Sequence, residues 1–228
     1  MAMIMRIITI RGMAIDMTAS YQDQALILQN WFSPAFPIGA FSYSAGLETA
    51  IANGAVHDCE SLADWLNVLI LNGIGFTDAV CLRATMEGEA VNELCLALCA
   101  GAERYKETTE LGAAFANVMR ETLYLDLPEG LAYPVAVGHA ARALGLDTKA
   151  TLAAFFQGAC MNQISVAVRA IPIGQLEGQS CLMSMMPVIE RAVETIMATS
   201  TDDMGSFALA SDLCALEHET AEQRIYRT

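Results

Sequence analysis

The stretch Phe32-Ser33-Pro34-Ala35-Phe36-Pro37-Ile38-Gly39-Ala40-Phe41-Ser42-Tyr43-Ser44-Ala45-Gly46-Leu47-Glu48 packs rigid, permissive and aromatic residues into one short element. Pro34 and Pro37 fix φ and remove backbone donors, while Gly39 and Gly46 permit unusual backbone or close approach. Ser33 and Phe36 each precede a proline and are biased to extended backbone, so a helix through Leu26, Ile27, Leu28 and Trp31 should stop near Phe32. The next helix should begin near Ser42, whose hydroxyl suits an N-cap for the run Tyr43 to Asn53, with Gly54 as the stop. Phe36, Ile38 and Phe41 read as core plugs beneath a loop. Tyr43 and Ser44, at the start of that helix, are the side chains expected to face a partner protein.

Working outward, the remaining pattern is helical. Ser61-Leu62-Ala63-Asp64 resembles a capping box, and Leu62, Trp65, Leu66, Leu69 and Ile70 recur at helical spacing. Thr77-Asp78 should open a helix over Ala79 to Met86, followed by helices over Asn92 to Ala102 and Lys106 to Leu125, before Pro128 and Gly130 break the pattern. Pro134 suits a first helical turn, its stripe ends at Gly145, and Asp147-Thr148 caps the next helix. Ile164 to Ile173 alternates like a strand, but no second segment offers a pairing partner, so it reads as helix. A long helix should run from about Gln175 or Gly178 to Met197. A flexible loop over Thr199 to Ser206, a short helix over Phe207 to Leu216 and a polar tail over Glu217 to Thr228 should follow. The expected fold is therefore all-α, a single-domain bundle of about ten helices over residues 21–228. Residues 1–20 are expected to be a flexible, disordered leader that carries no function.

Composition narrows the function. The hydrophobic fraction is 54% and the charged fraction 17%, against about 25% charged in an ordinary domain. Such a chain either spans a membrane or buries its surface against other subunits. No uninterrupted apolar run reaches the roughly 18 residues that a span requires, and Arg6 and Arg11 interrupt the greasy leader, so a cytoplasmic protein is expected. Twenty-six acidic against 12 basic residues give a net charge of −14, which disfavours nucleic acid as a partner.

Seven cysteines without a C-x-x-C pair argue against a disulfide framework or a zinc ribbon. Cys95 and Cys99, at i, i+4, would suit a soft metal, but Leu94, Leu96 and Leu98 favour a core helix. His57 and Cys59 in an H-D-C triplet are two ligands without a companion. No phosphate-binding G-x-x-x-x-G-K-[ST], no H-E-x-x-H and no catalytic spacing of His57, His139 and His218 is present.

The opening stretch resembles the signature of the urease accessory protein UreF family, S-P-x-x-P-[IV]-G-x-F-S-Y-S-x-G-L-E. Pro134-Val135-Ala136-Val137-Gly138-His139 through Leu146, Gln163 through Gln175 with Gly178-Gln179, and Leu216-Glu217-His218-Glu219-Thr220 followed by Arg224-Ile225-Tyr226-Arg227 are similar to three further family blocks. The four blocks span about residue 25 to the C-terminus in the family's order. Ala221 and Glu222 depart from the Gln-Tyr that often follows the H-E-T triplet, and Asn162 stands one place before the family's usual asparagine.

The resemblance implies a non-catalytic maturation factor that forms a complex with UreD (also called UreH) and UreG, modulates that GTPase, and helps nickel insertion into apo-urease. It also implies a homodimer that holds no cofactor stably, nickel being handled by the complex. Tyr43, Ser44, Glu48, Arg169, Gln175, His218, Glu219, Arg224 and Arg227 are the partner contacts this reading suggests. Pro34, Pro37, Gly39, Phe41, Ser42 and Gly46 would shape the loop. The tail would order on binding a partner. A direct nickel-binding metallochaperone and a helical enzyme of unknown substrate are the alternatives.

Overall fold

The computed structural model describes residues 7–10, 13–16 and 21–228; most of the expected leader lies outside them. Within it, β1 (Ile7–Ile10) pairs antiparallel with β2 (Met13–Asp16), Ile7 opposite Asp16, and β1 lies against a helix of the bundle. All else that is regular in the described residues is helical, as the all-α expectation requires. The helices are α1 (Tyr21–Trp31), α2 (Leu47–Ala52), α3 (Cys59–Leu71), α4 (Ile74–Glu87), α5 (Asn92–Ala97) and α6 (Ala102–Leu123). They continue as α7 (Tyr133–Leu144), α8 (Thr148–Ala170), α9 (Gln175–Ser184), α10 (Met186–Ala198) and α11 (Leu209–His218).

Local chemistry explains most boundaries. Pro134 sits in the first turn of α7, where its missing N–H costs nothing, and Gly145 ends the helix in left-handed backbone at φ 65°. Asp147 accepts the Ala150 N–H at 2.8 Å and starts α8. The ambiguous Ile164–Ala170 stretch is the last part of α8, which buries Ile164, Val166 and Ala167 in the core.

Several expectations need correction. The box that starts α3 is formed by Asp58 and Ser61, with Asp58 Oδ1 accepting Ser61 N at 2.9 Å, so Ser61 is the box's third helical residue and not its cap. That use also explains the H-D-C triplet as a helix start. α4 begins at Ile74, before Thr77, and α6 begins at Ala102, before Lys106. α5 stops at Ala97, short of Ala102. The single long helix expected from Gln175 to Met197 is two helices that meet at Met185, because Pro187 belongs in the first turn of a new helix. Residues 59–87 are apolar enough to cross a membrane by length and composition, but Asn72 and Gly73 separate them into α3 and α4, and their apolar faces enter the core.

α4 and α7 make the most intimate helix pair, with α6 on the other side of α7 and the long α8 crossing α1, α2, α3, α4, α9 and α10. Rings of Trp31, Phe36, Phe115, Tyr133 and Phe155 form a chain of edge and tilted contacts, beginning with Trp31 and Phe115 at 5.2 Å between centroids. Gly138 sets the α4–α7 spacing, since a Cβ there would stand 2.7 Å from Thr85 Cβ and 2.8 Å from the Leu82 carbonyl oxygen. Alanine would raise helix propensity by about 1 kcal/mol, yet overpacking against main chain costs about 1–3 kcal/mol, so the clash decides the sign. Gly138→Ala should lower the urea midpoint with the slope unchanged. An unaltered or raised midpoint would show that the two helices separate freely.

Candidate functional site

The opening stretch and the end of the chain form one site. Phe32 leaves α1, and Phe36 anchors the loop against Phe115 at 5.6 Å between ring centroids. Gly39 adopts left-handed backbone at φ 76° before a single 3-10 turn over Ala40–Ser42. Ser42 does not cap a helix: its hydroxyl donates back to the Gly39 carbonyl at 2.8 Å, and α2 waits until Leu47. The delay comes from Ala45 and Gly46, both at positive φ, which turn the chain before it can coil. At Gly46 the backbone of α11 closes in, so a Cβ would lie 2.9 Å from Ala215 N.

Phe36 is buried as expected, but exposure at Phe41, Tyr43 and Ser44 is the reverse of what was expected. Tyr43 is 3% exposed and Ser44 0%, whereas Phe41, read as a core plug, is 60% exposed. Tyr43 and Ser44 are buried because the last residues of the chain return over them. Ser44 N donates to the Thr228 carbonyl at 3.1 Å, its hydroxyl donates to the same oxygen, and Ala45 N donates to the Thr228 hydroxyl at 3.1 Å. From the other side, Asn162 and Gln163 of α8 donate to the carbonyls of Tyr43 and Ser44 at 3.0 and 2.9 Å. Pro34 and Pro37 are exposed at the front of the loop.

Glu48 is the hinge of this junction. It stands in the first turn of α2 and accepts the N–H groups of Ile225 and Tyr226 at 2.8 and 2.9 Å, and it also meets His218 Nε2 at 3.2 Å. Burial pushes the Glu48 carboxyl up, but the two N–H groups and His218 outweigh it and hold the group below the usual carboxylate range. His218 is 1% exposed, and its Nδ1 faces Glu103 at 2.7 Å, so only a doubly protonated ring donates to both carboxylates. Glu103 also binds Arg224 at 2.6 Å, and Glu219 accepts the Glu103 N–H at 3.1 Å, at the positive end of α6.

Arg227 completes the tail. Its guanidinium lies 3.0 Å from Glu110 and 3.1 Å from the Tyr43 hydroxyl, and over the Tyr43 ring at 5.4 Å. Tyr43 donates to Glu110; burial, and then that carboxylate, push the phenol well above its ordinary value. Beneath the junction Arg104 pairs with Asp78 and, at 3.4 Å, with Glu107. Burial pushes both carboxyls up against the pull of Arg104. A cavity of about 340 Å³ runs from these charges, past Trp31, Tyr133 and Phe155, to Phe41 and Arg169.

The junction thus unites Tyr43, Ser44, Glu48, His218, Glu219, Arg224 and Arg227, shaped by Gly39, Ser42 and Gly46. Arg169, exposed in the last turn of α8, and Gln175, exposed at the start of α9, make none of its contacts. The tail, expected to order only on a partner, is already docked. Sequence reading missed Glu103, Arg104, Glu107 and Glu110. Their i, i+1, i+4 and i+7 spacing on α6 is the available signal, obscured by starting that helix at Lys106. Among the described residues no group of three or more His, Cys, Asp or Glu side chains is placed to hold a metal ion.

The linkage sign follows from Glu48. A carboxyl held low contributes stability above its unfolded value of about 4.3, and loses it as pH falls through the folded value. Amide protection at Ile225 and Tyr226 should hold from about pH 7 to pH 5 and collapse below about pH 4, ahead of the core amides of α8. Protection that persists at about pH 2 would show that the tail is held by something other than this carboxylate.

Comparison with known proteins gives a consistent answer. The UreF family model matches residues 56–186. The chain is 44% identical over 206 residues to the urease accessory protein UreF of Cereibacter sphaeroides strain KD131, covering 89% of this chain and 98% of that one. It is 40% identical over 209 residues to the protein of the same name from Dinoroseobacter shibae, with the same coverage. With that of Rhodopseudomonas palustris strain BisB5 the identity is 38% over 232 residues, covering 94% and 96% of the two chains.

Proposed function

This chain belongs to the UreF family of urease accessory proteins, and we propose that it acts as a non-catalytic scaffold whose loop and docked tail bind the other maturation factors. On this reading the partners are a UreD (UreH) protein, the GTPase UreG and the apo-urease subunits. The complex inserts nickel and modulates the GTPase, and the chain works in the cytoplasm as a homodimer.

The observation that carries the reading is the exposed face built around the junction. Ile225 is 84% exposed although the N–H groups of both it and its neighbour are locked to Glu48. Phe41 stands out from the loop, and Leu209, Leu213 and Leu216 form an exposed apolar stripe on α11, the helix that leads into the tail. Rigidly held apolar side chains beside Arg224 and Arg227 have the makeup of a protein-binding patch, apolar at its centre with arginine at hand. Tyr43 and Ser44 serve this surface from beneath, by fixing the tail, so their replacement would act through folding of the junction and not through lost contact.

The test is co-purification from a cell making this chain with UreD and UreG. The wild-type chain should capture both. Ile225→Asp should lose the complex, with an unchanged circular dichroism spectrum and unchanged protection of its own core. Full capture by Ile225→Asp would move the docking face elsewhere, and failure of the wild-type chain to capture either partner would defeat the scaffold reading. Tight, stoichiometric nickel binding by the isolated chain would favour a metallochaperone, and hydrolysis of nucleotide or ester without UreG would favour an enzyme.

A further inference from the structure

The cavity beneath the junction joins an apolar body to a charged end. Its volume of about 340 Å³ is that of a small-molecule site, roughly 300–1,000 Å³. Trp31, Phe36, Leu66, Ile70, Tyr133 and Phe155 line it, with the Tyr133 and Phe155 rings tilted at 5.8 Å between centroids. Asp78, Arg104, Glu107 and Gln163 line it too.

Two of these polar side chains have an atom to spare. Glu107 is 8% exposed; its Oε1 faces Arg104 at 3.4 Å, while its Oε2 is buried without a hydrogen-bond partner. Gln163 is 7% exposed, and its Nε2 donates to the Ser44 carbonyl at 2.9 Å. That bond fixes the amide's orientation and leaves Oε1 as the buried, unpartnered end. Both spare atoms are acceptors, and a buried acceptor left unpaired carries its full desolvation penalty. Charge is unbalanced in the same sense, since the Asp78 and Glu107 carboxyls share one guanidinium, that of Arg104.

We propose that this cavity binds a small organic ammonium ion, an apolar or aromatic body carrying a primary amine. The body would lie among the aromatic and aliphatic walls, and the ammonium group would donate to Glu107 Oε2. Gln163 Oε1 offers a further acceptor to a head that has three donors. Arg104 repels such a head, but the two carboxyls outnumber it. Burial pushes those carboxyls up against the pull of Arg104, and a bound cation adds to that pull. Arg169, exposed at the mouth, also opposes entry, whereas the net charge of −14 draws cations toward the chain as a whole. A carboxylate ligand would face two unpaired acceptors and gain only Arg104, which Asp78 already engages. A neutral alcohol would satisfy an acceptor and leave the surplus charge uncompensated.

The test is a calorimetric titration of the full chain, at about pH 7 and physiological salt, with 2-phenylethylammonium chloride. The neutral 2-phenylethanol and the anionic 3-phenylpropionate are titrated beside it. One ammonium ion per chain is expected, with a Kd of about 1 mM or lower, the alcohol at least tenfold weaker and the carboxylate unbound. Glu107→Gln keeps the side chain's shape and removes its charge, and should weaken ammonium binding at least tenfold. Ala159→Trp, at an exposed position of α8 that lines the cavity, should block entry and weaken binding as much, with an unchanged circular dichroism spectrum. No ammonium binding, equal or tighter binding of the alcohol or the carboxylate, or wild-type affinity in Glu107→Gln would each overturn the assignment. Should Glu107→Gln unfold, Ala159→Trp decides the matter: unchanged affinity there puts the ammonium ion outside the cavity and overturns the site.

Discussion

The Glu48 carboxylate holds together the two ends of the described fold. It takes the N–H groups of Ile225 and Tyr226 and the ring of His218, residues at least 170 positions away in sequence. Charge-assisted bonds of this kind are about twice as strong as neutral ones, and here one side chain makes several at once. The contacts close a cycle. The loop turns at Ala45 and Gly46 to start α2, α2 presents Glu48, Glu48 fixes α11 and the tail, and the tail returns to cover Tyr43 and Ser44 in the loop. Each member is placed by the previous one, so the junction is cooperative.

The same arrangement accounts for the unusual composition. Charge is scarce in this chain, and the junction gathers several of its charged residues: Asp78, Arg104 and Glu107 beneath, Glu48, Glu103, Glu110, Arg224 and Arg227 around the tail. Buried ion pairs contribute little net stability, because desolvation offsets their attraction, but breaking one leaves an uncompensated charge and is strongly unfavourable. They therefore specify one geometry for the junction. Elsewhere the surface is left with apolar groups such as Leu176, Met183 and Phe207, which are exposed. On the proposed reading these faces are covered in a complex.

Several helix boundaries set by a local residue were legible. Pro134, Gly145 and Asp147 act within one turn of their own position, and each does what its type predicts. Pro187 carried the same information and was overlooked in an otherwise helical run. The junction was not legible in the same way. The positive φ of Ala45 belongs to a residue with no intrinsic preference for it, and it is tolerated because the surrounding contacts over-determine the turn. Burial of Tyr43 and Ser44 depends on chain that returns 184 residues later, which no periodicity near them records.

The exchange of roles between Phe41 and Tyr43 alters what a partner would read. The loop motif and the tail motif each look, in sequence, like a self-contained recognition element. In the fold neither is: Tyr43 spends its hydroxyl on Glu110 and its ring on Arg227, while the main chain of Ile225 is spent on Glu48. What remains outward is a composite of Phe41, Ile225 and the α11 stripe, and the position of its Ile225 depends on the tail being docked. Since the ordering cost of the tail is met by contacts within the chain, a partner meeting this face need not supply it. Binding through such a surface therefore selects the docked tail, and anything that weakens the Glu48 clamp weakens binding by the fraction of molecules whose tail is released.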